Sequence, residues 1–218
     1  MSLPTPTLQH IEQVSSGWIN KYVLTYALPD GGTKVYEAAS RKKLDAFRAG
    51  LEANAARSAA VLADRDVPAQ PAGPDAVSIV PQTDDGKLVL IREFRYPLNS
   101  WCVALPAGLV EPGEALATCV DRELREETGY ALRTDLPAHE VLRPLPQAGY
   151  SSTGLTDETV HMVFAQVTKA GDAHPEPGEL IEPFLLPIAD VAQFLQENQL
   201  PLGTRAQLAL ELFAQRER

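Results

Sequence analysis

Three glutamates, Glu123, Glu126 and Glu127, stand at i, i+3 and i+4 in a chain of 218 residues. On a helix that spacing projects all three from one face, so the carboxylates can converge on a point just outside it. Like charges so placed repel, and the arrangement turns favourable when a hard cation with a preference for oxygen ligands sits between them. Arg122 can pair with Glu126 one turn on and hold that carboxylate, while Leu124 is free to face a core. Taken alone, such a run is more often a solvated helix face laced with Glu/Arg pairs. The preceding residues change the balance. Gly108-Leu109-Val110-Glu111-Pro112-Gly113-Glu114 is a glycine-punctuated loop leading into the helix, where backbone can approach a metal or phosphate closely.

Several elements must hold these groups in place. Residues 115–128 contain no Gly or Pro and are followed by Gly129, where a helix C-cap favours a left-handed residue, so a helix is predicted there. Before it, residues 76–80 and 87–94 are apolar and β-branched around Asp84-Asp85-Gly86, which predicts a hairpin, and residues 101–105 read as a further strand. After it come a buried strand over 160–167, in which His161 reads as a satisfied core histidine, and a short helix over 188–196. A closing helix over 205–216 would turn Leu208, Leu212 and Phe213 inward. At the N-terminal end, residues 18–39 are rich in Tyr, Val and Thr around Pro29-Asp30-Gly31-Gly32 and predict a hairpin. An amphipathic helix over 42–63 follows, interrupted by Gly50, and residues 65–75 read as a linker. Strands mixed with a few helices, without strict alternation, indicate an α+β fold.

Composition excludes some function classes. The formal charge of -10 would repel a nucleic-acid backbone, and no Lys/Arg block offsets it, so an anionic substrate must be met by metal ions or a few placed arginines. No apolar run of about 18 or more residues could cross a bilayer. The opening residues MSLPTPTLQH lack the basic start and apolar stretch of a secretory leader. With only Cys102 and Cys119 as cysteines, the expectation is a reducing cytoplasm.

The whole motif runs Gly108, five residues, Glu114, seven residues, Arg122-Glu123-Leu124, one residue, Glu126-Glu127, one residue, Gly129-Tyr130. It resembles the Nudix box at every defined position. The resemblance implies an α+β Nudix fold, a mixed β-sheet sandwiched between helices with a small N-terminal β-hairpin region. It also implies Mg²⁺ or Mn²⁺ used for attack of water on a diphosphate, a role suited to ions that neutralise developing charge. By position, Glu123 and Glu127 correspond to the principal metal ligands, Glu126 to a third ligand or base-like carboxylate, and the Ala107 carbonyl to a backbone ligand. Glu114 and Arg122 correspond to supporting residues.

Flanking residues are similar to the ADP-ribose and ADP-sugar pyrophosphatases of that superfamily. These are the segment Ile91-Arg92-Glu93-Phe94-Arg95-Tyr96 and the run Leu105-Pro106-Ala107-Gly108-Leu109. The likeness implies that Arg95 contacts substrate phosphate, as a guanidinium fork can, and it places Leu109 on the substrate side. The N-terminal hairpin resembles one that the group uses for dimer formation and adenine binding. By that likeness Trp18 and Tyr36 stack on the base, Glu37 takes its exocyclic amine and Arg41 reaches phosphate. Pro177-Gly178-Glu179-Leu180-Ile181-Glu182 resembles a loop that delivers a catalytic glutamate, with Glu179 the first choice for general base and Glu182 the second. Gly154-Leu155-Thr156-Asp157-Glu158 resembles a substrate-side loop. Residues 1–66 would then form the dimerisation and base-binding region and residues 67–218 the hydrolase domain, assembled as a homodimer on a small nucleoside diphosphate sugar. The departures are Ala104, where many relatives carry a glutamate, an insertion-like helix over 42–63, and Thr153 or Pro146 at a position that is often proline.

Rival chemistries lack their residues. Gly149-Tyr150-Ser151-Ser152-Thr153-Gly154 has one residue too many for a nucleophile elbow, and Leu155 stands where a phosphate loop needs lysine. His10, His139, His161 and His174 offer no paired zinc spacing. The alternatives that remain are hydrolases of GDP-mannose, UDP-sugars or dinucleotides, and a non-catalytic Nudix-fold nucleotide-binding module. Such a module would be expected to lose metal carboxylates that this chain keeps.

Overall fold

The computed structural model describes residues 3–67 and 73–215. Part of the predicted linker and the last residue of the predicted closing helix, Arg216, lie outside them. The chain divides into two compact units, residues 1–74 with 150–159, and residues 75–149 with 160–218. Among the described residues no helix is long and apolar enough to cross a membrane.

The first unit is an antiparallel sheet of β1 (Thr7–Gln13), β2 (Asn20–Ala27) and β3 (Thr33–Ser40), in that order, followed by α1 (Leu44–Leu62). The predicted hairpin is β2 and β3, closed at a turn where Gly31 has φ +85°. β1 was not foreseen because its only buried residue is Ile11, so it has almost no apolar alternation to detect. Tyr22 and Phe47 stack at 4.4 Å between ring centroids and, with Ile11 and Leu24, make the core under the helix. Asn20, also buried, donates from Nδ2 to the carbonyls of Ser40 and Lys42 and accepts from Gly17 N–H, which fixes the chain entering and leaving the hairpin. Residues 150–159 dock on β3: Ala39 N–H donates to Leu155 O at 2.8 Å and Tyr36 Oη donates to Gly154 O at 2.8 Å.

The second unit is built on β4 (Ala76–Thr83), β5 (Lys87–Arg95), β6 (Ser100–Ala104), β7 (Ala107–Leu109), α2 (Leu116–Thr128), β8 (Tyr130–Leu132), α3 (Ala138–Val141) and β9 (Leu142–Pro144). β10 (Gly149–Tyr150) lies at the border between the units, and β11 (Thr159–Lys169), β12 (Ile181–Pro187), α4 (Val191–Glu197) and α5 (Thr204–Ala214) complete the series. The central strand order is β11-β4-β5-β12, with β11 parallel to β4 and the other pairs antiparallel. Both central strands are buried on both faces, as their continuous apolar runs require. One face carries Val77, Ile79, Val89, Val163 and Val167 against Cys119, Val120 and Leu124 of α2. The other carries Val80, Leu88, Leu90, Val103 and Leu186 against Val191 of α4 and Leu210 and Phe213 of α5. A mixed sheet between helices is therefore observed.

Three expectations need correction. The inward side of α5 is Ala206, Ala209, Leu210 and Phe213, at i, i+3, i+4 and i+7, so Leu208 and Leu212 lie exposed. Small alanines let this helix approach the sheet, and the two larger leucines point outward. Residues 188–190 form a 3₁₀ turn before α4 rather than its first turn. Gly108 and Leu109, expected as the start of a loop, pair with β4 in the short strand Ala107–Leu109.

Candidate active site

Glu123 and Glu127 project from α2 into the molecule and are buried, while Glu126 is half-buried. β7 stands opposite. A Cβ at Gly108 would collide with the Glu123 carboxylate, so glycine is what lets that group lie against the loop backbone. Glu127 Oε2 accepts the Ala107 N–H at 3.0 Å.

Arg122 organises the rest. Its Nε and Nη2 donate to the two oxygens of Glu114, both at 3.0 Å, a bidentate pair. Its Nη1 donates to Glu123 Oε1 at 2.7 Å and to Glu126 Oε2 at 3.1 Å, and its Nη2 also reaches Leu109 O at 3.1 Å. Glu114 Oε2 accepts the Glu111 N–H, closing the turn at Gly113, whose φ is +80°. One guanidinium thus ties the glycine loop to the middle turns of α2.

The electrostatics separate these carboxyls. Hydrogen bonding from Arg122 holds Glu114 down at about 2. Burial pushes Glu127 well above the ordinary carboxylate range, with the charges of Glu123, Glu93 and Glu179 adding to the rise. Burial also raises Glu123, against the opposing pull of Arg122. Cys119, between loop and helix, is pushed up to about 12, first by burial and then by Glu114, so it stays a thiol.

Glu179 belongs to this acidic group, since its charge acts on Glu93, Glu123 and Glu127. Its loop is held by Tyr96 Oη donating to Gly178 O at 3.0 Å and by Phe94 N–H donating to Leu180 O at 3.0 Å. Glu182 is elsewhere. It lies in β12 directly across from Arg92, pairs with it at 3.2 Å, and shares its sheet face, opposite to the face shared by Ile181 and Glu93. A strand position, not a mobile loop, holds this second-choice base.

Sequence reasoning missed Glu93. It continues the α2-facing side of β5 two and four residues beyond Ile91 and Val89, but Leu88–Ile91 is apolar without a break, so the sequence held no alternation to show which face it takes. Burial raises it, Arg95 opposes the rise and Glu179 adds to it. Arg95 Nη2 stands 2.7 Å from Glu93 Oε2, yet no N–H is aimed at that oxygen, which is buried without a hydrogen bond.

Among the described residues no three acidic, His or Cys side chains are already set around one point. Arg122 bridges Glu123 and Glu126, and Glu127 is turned to Ala107. The donors themselves suit a hard divalent cation: buried carboxylate oxygens that repel one another, an unsatisfied oxygen on Glu93 and a glycine-lined cradle. Glu123, Glu127 and Glu126 are the side chains that would hold it.

In the first unit, Trp18 lies exposed in the β1–β2 connection and Tyr36 lies mid-β3 opposite Leu24. Four ladder steps, roughly 13 Å at strand rise, lie between Tyr36 and the Asn20–Ser40 end of the hairpin, which Trp18 precedes by two residues. Glu37 pairs with Lys21 at 2.8 Å, both largely exposed, and Arg41 forms an ion pair with Glu158.

A sequence model of the NUDIX domain matches residues 73–206, more than half of the chain and all of the α2 site. The chain belongs to the Nudix hydrolase family. This Nudix chain is 30% identical to an ADP-sugar pyrophosphatase of Mus musculus over 191 residues, which cover 83% of this chain and 72% of that one. It is 38% identical to an ADP-ribose pyrophosphatase of Bacillus subtilis (strain 168) over 95 residues, 43% of this chain, and so spans just under half, 46%, of that relative. A crystal structure of an ADP compounds hydrolase superposes with a TM-score of 0.68 over 99% of this chain and 95% of its own, at 23% identity, a likeness of fold.

Proposed function

We propose that this Nudix hydrolase uses a divalent cation, Mg²⁺ or Mn²⁺, to cleave the pyrophosphate bond of ADP-ribose or another ADP-sugar, giving AMP and a sugar phosphate. The observation that carries this is the intact α2 site, with Glu123, Glu126 and Glu127 all present, in a chain similar to ADP-sugar and ADP-ribose pyrophosphatases. A divalent cation bound there supplies charge neutralisation at the diphosphate and makes water a better nucleophile.

The chain's own residues do the remainder. Glu123, Glu127 and Glu126 would hold the cation, and Arg122, fixed by Glu114, positions Glu123 and Glu126 through its Nη1. Glu179, on its latched loop, accepts the proton of the attacking water. Glu182 is the weaker candidate because Arg92 engages it on the other face of the sheet. Arg95 contacts a substrate phosphate oxygen through its fork. Trp18, Tyr36, Glu37 and Arg41 recognise base and phosphate, Leu109 lies on the substrate side, and the chain assembles as a homodimer.

A panel of ADP-, GDP- and UDP-sugars, assayed by product release with Mg²⁺, tests this directly. AMP from ADP-ribose is the expected leading product. Faster turnover of GDP- or UDP-sugars would remove the ADP assignment, and full activity in Glu127→Gln would remove the site. That substitution should lower turnover by at least about 100-fold while the far-UV circular dichroism stays unchanged.

A further inference from the structure

We propose that Glu93 is a further cation ligand of this site, a carboxylate contributed by the central sheet from outside the α2 motif. The inference rests on the metal-dependent reading above. Glu93 sits on the α2-facing side of β5, with a side chain that is 17% exposed and an Oε2 buried without a hydrogen bond. A carboxylate in that position is strongly disfavoured unless something satisfies it.

Among its neighbours only Arg95 does so, as an ion pair at 2.7 Å without a hydrogen bond. The cross-strand partners are Cys102 on β6 and Ile181 on β12, and the Cys102 Sγ–H is turned to the Val103 carbonyl. Arg95 is close, but a guanidinium placed to anchor a carboxylate would present the bidentate geometry that Arg122 makes with Glu114, and Arg95 does not. Across the same face, Ala104 on β6 opposes Ile91 and supplies no oxygen. Glu93 also acts on an acidic group: its charge adds to the rise at Glu127, and Glu179 adds to the rise at both, while Arg95 opposes it at Glu93. Adding Glu93 to the acidic group of Glu123, Glu126, Glu127 and Glu179 worsens repulsion in the absence of a cation and adds a hard oxygen donor in its presence. An Oε2 that has no hydrogen bond beyond its Arg95 ion pair, on the sheet face turned to α2, is therefore accounted for by an ion shared between helix and strand.

The experiment is Mn²⁺ binding to the full chain, followed by electron paramagnetic resonance of free Mn²⁺, for the wild type, Glu93→Gln, Glu93→Asp and Glu127→Gln. Glu93→Gln should weaken Mn²⁺ binding by about 10-fold or more, with a melting temperature in EDTA no lower than that of the wild type. Glu93→Asp, which keeps the charge, should retain part of the affinity. Wild-type affinity in Glu93→Gln, alongside loss in Glu127→Gln, would overturn this inference and leave the proposed function standing. Absence of Mn²⁺ binding in the wild type would overturn both.

Discussion

Arg122 and its five oxygen contacts show how a single side chain can organise a catalytic loop. Its bidentate grip on Glu114 has a consequence for acid stability. Glu114 is held at about 2, below the 4.5 of a free glutamate, so its contribution is fully present above pH 4.5 and is lost as pH falls toward 2. Glu127 and Glu123 have the opposite sign: their raised values make the cation-free fold lose stability as pH rises above 4.5. Urea unfolding in EDTA across the acid range should therefore show a loss between pH 4.5 and 2 that is smaller in Glu114→Gln. An identical profile in the variant would show that the Arg122 pair does not stabilise the loop. The acidic triad was legible because helical spacing alone predicts a shared face. Glu93 was not, because a glutamate between Arg92 and Arg95 near a strand end looks like solvated charge, and only the packing of Val89 against α2 reveals which way it points.

At the scale of elements, α2 is the part of the fold most fully readable in advance, and its end explains why. Gly129 closes the helix at φ +70°, with its N–H donating to Arg125 O and its carbonyl accepting the N–H groups of Ala170 and Gly171. A Cβ there would run into the Gly171 carbonyl and Asp172. Gly129→Ala should destabilise the protein by about 1–3 kcal/mol, from backbone strain and the displaced strand exit, measured by urea unfolding. A change within experimental error would mean that the segment after β11 yields freely. Where elements were misread, the cause is a local pattern overruled by packing. β1 has one buried residue and so no period to detect, and the leucines of α5 are outside because alanine is what fits against the sheet. β7 was hidden inside a motif read for its glycines.

For the molecule as a whole, the two units have unequal cores. The first rests on Ile11, Tyr22, Leu24 and Phe47, whereas the second has a cluster on each face of its sheet. Deleting the Phe47 ring removes half of the Tyr22 stack and leaves a cavity, an effect of about 3–5 kcal/mol. Phe47→Ala should abolish hydrogen-exchange protection in β1, β2 and β3 while β4, β5 and α2 keep theirs. Uniform loss across the chain would show that the units unfold as one.

The excursion of residues 150–159 into the first unit has a practical corollary for anyone cutting this gene. A fragment ending at residue 74 would carry every strand of the small sheet yet strand the amide of Ala39 and the phenol of Tyr36, whose acceptors are encoded some 80 codons downstream. Sequence order and structural membership diverge here, so a boundary drawn through the linker would sever an edge that the backbone itself returns to complete.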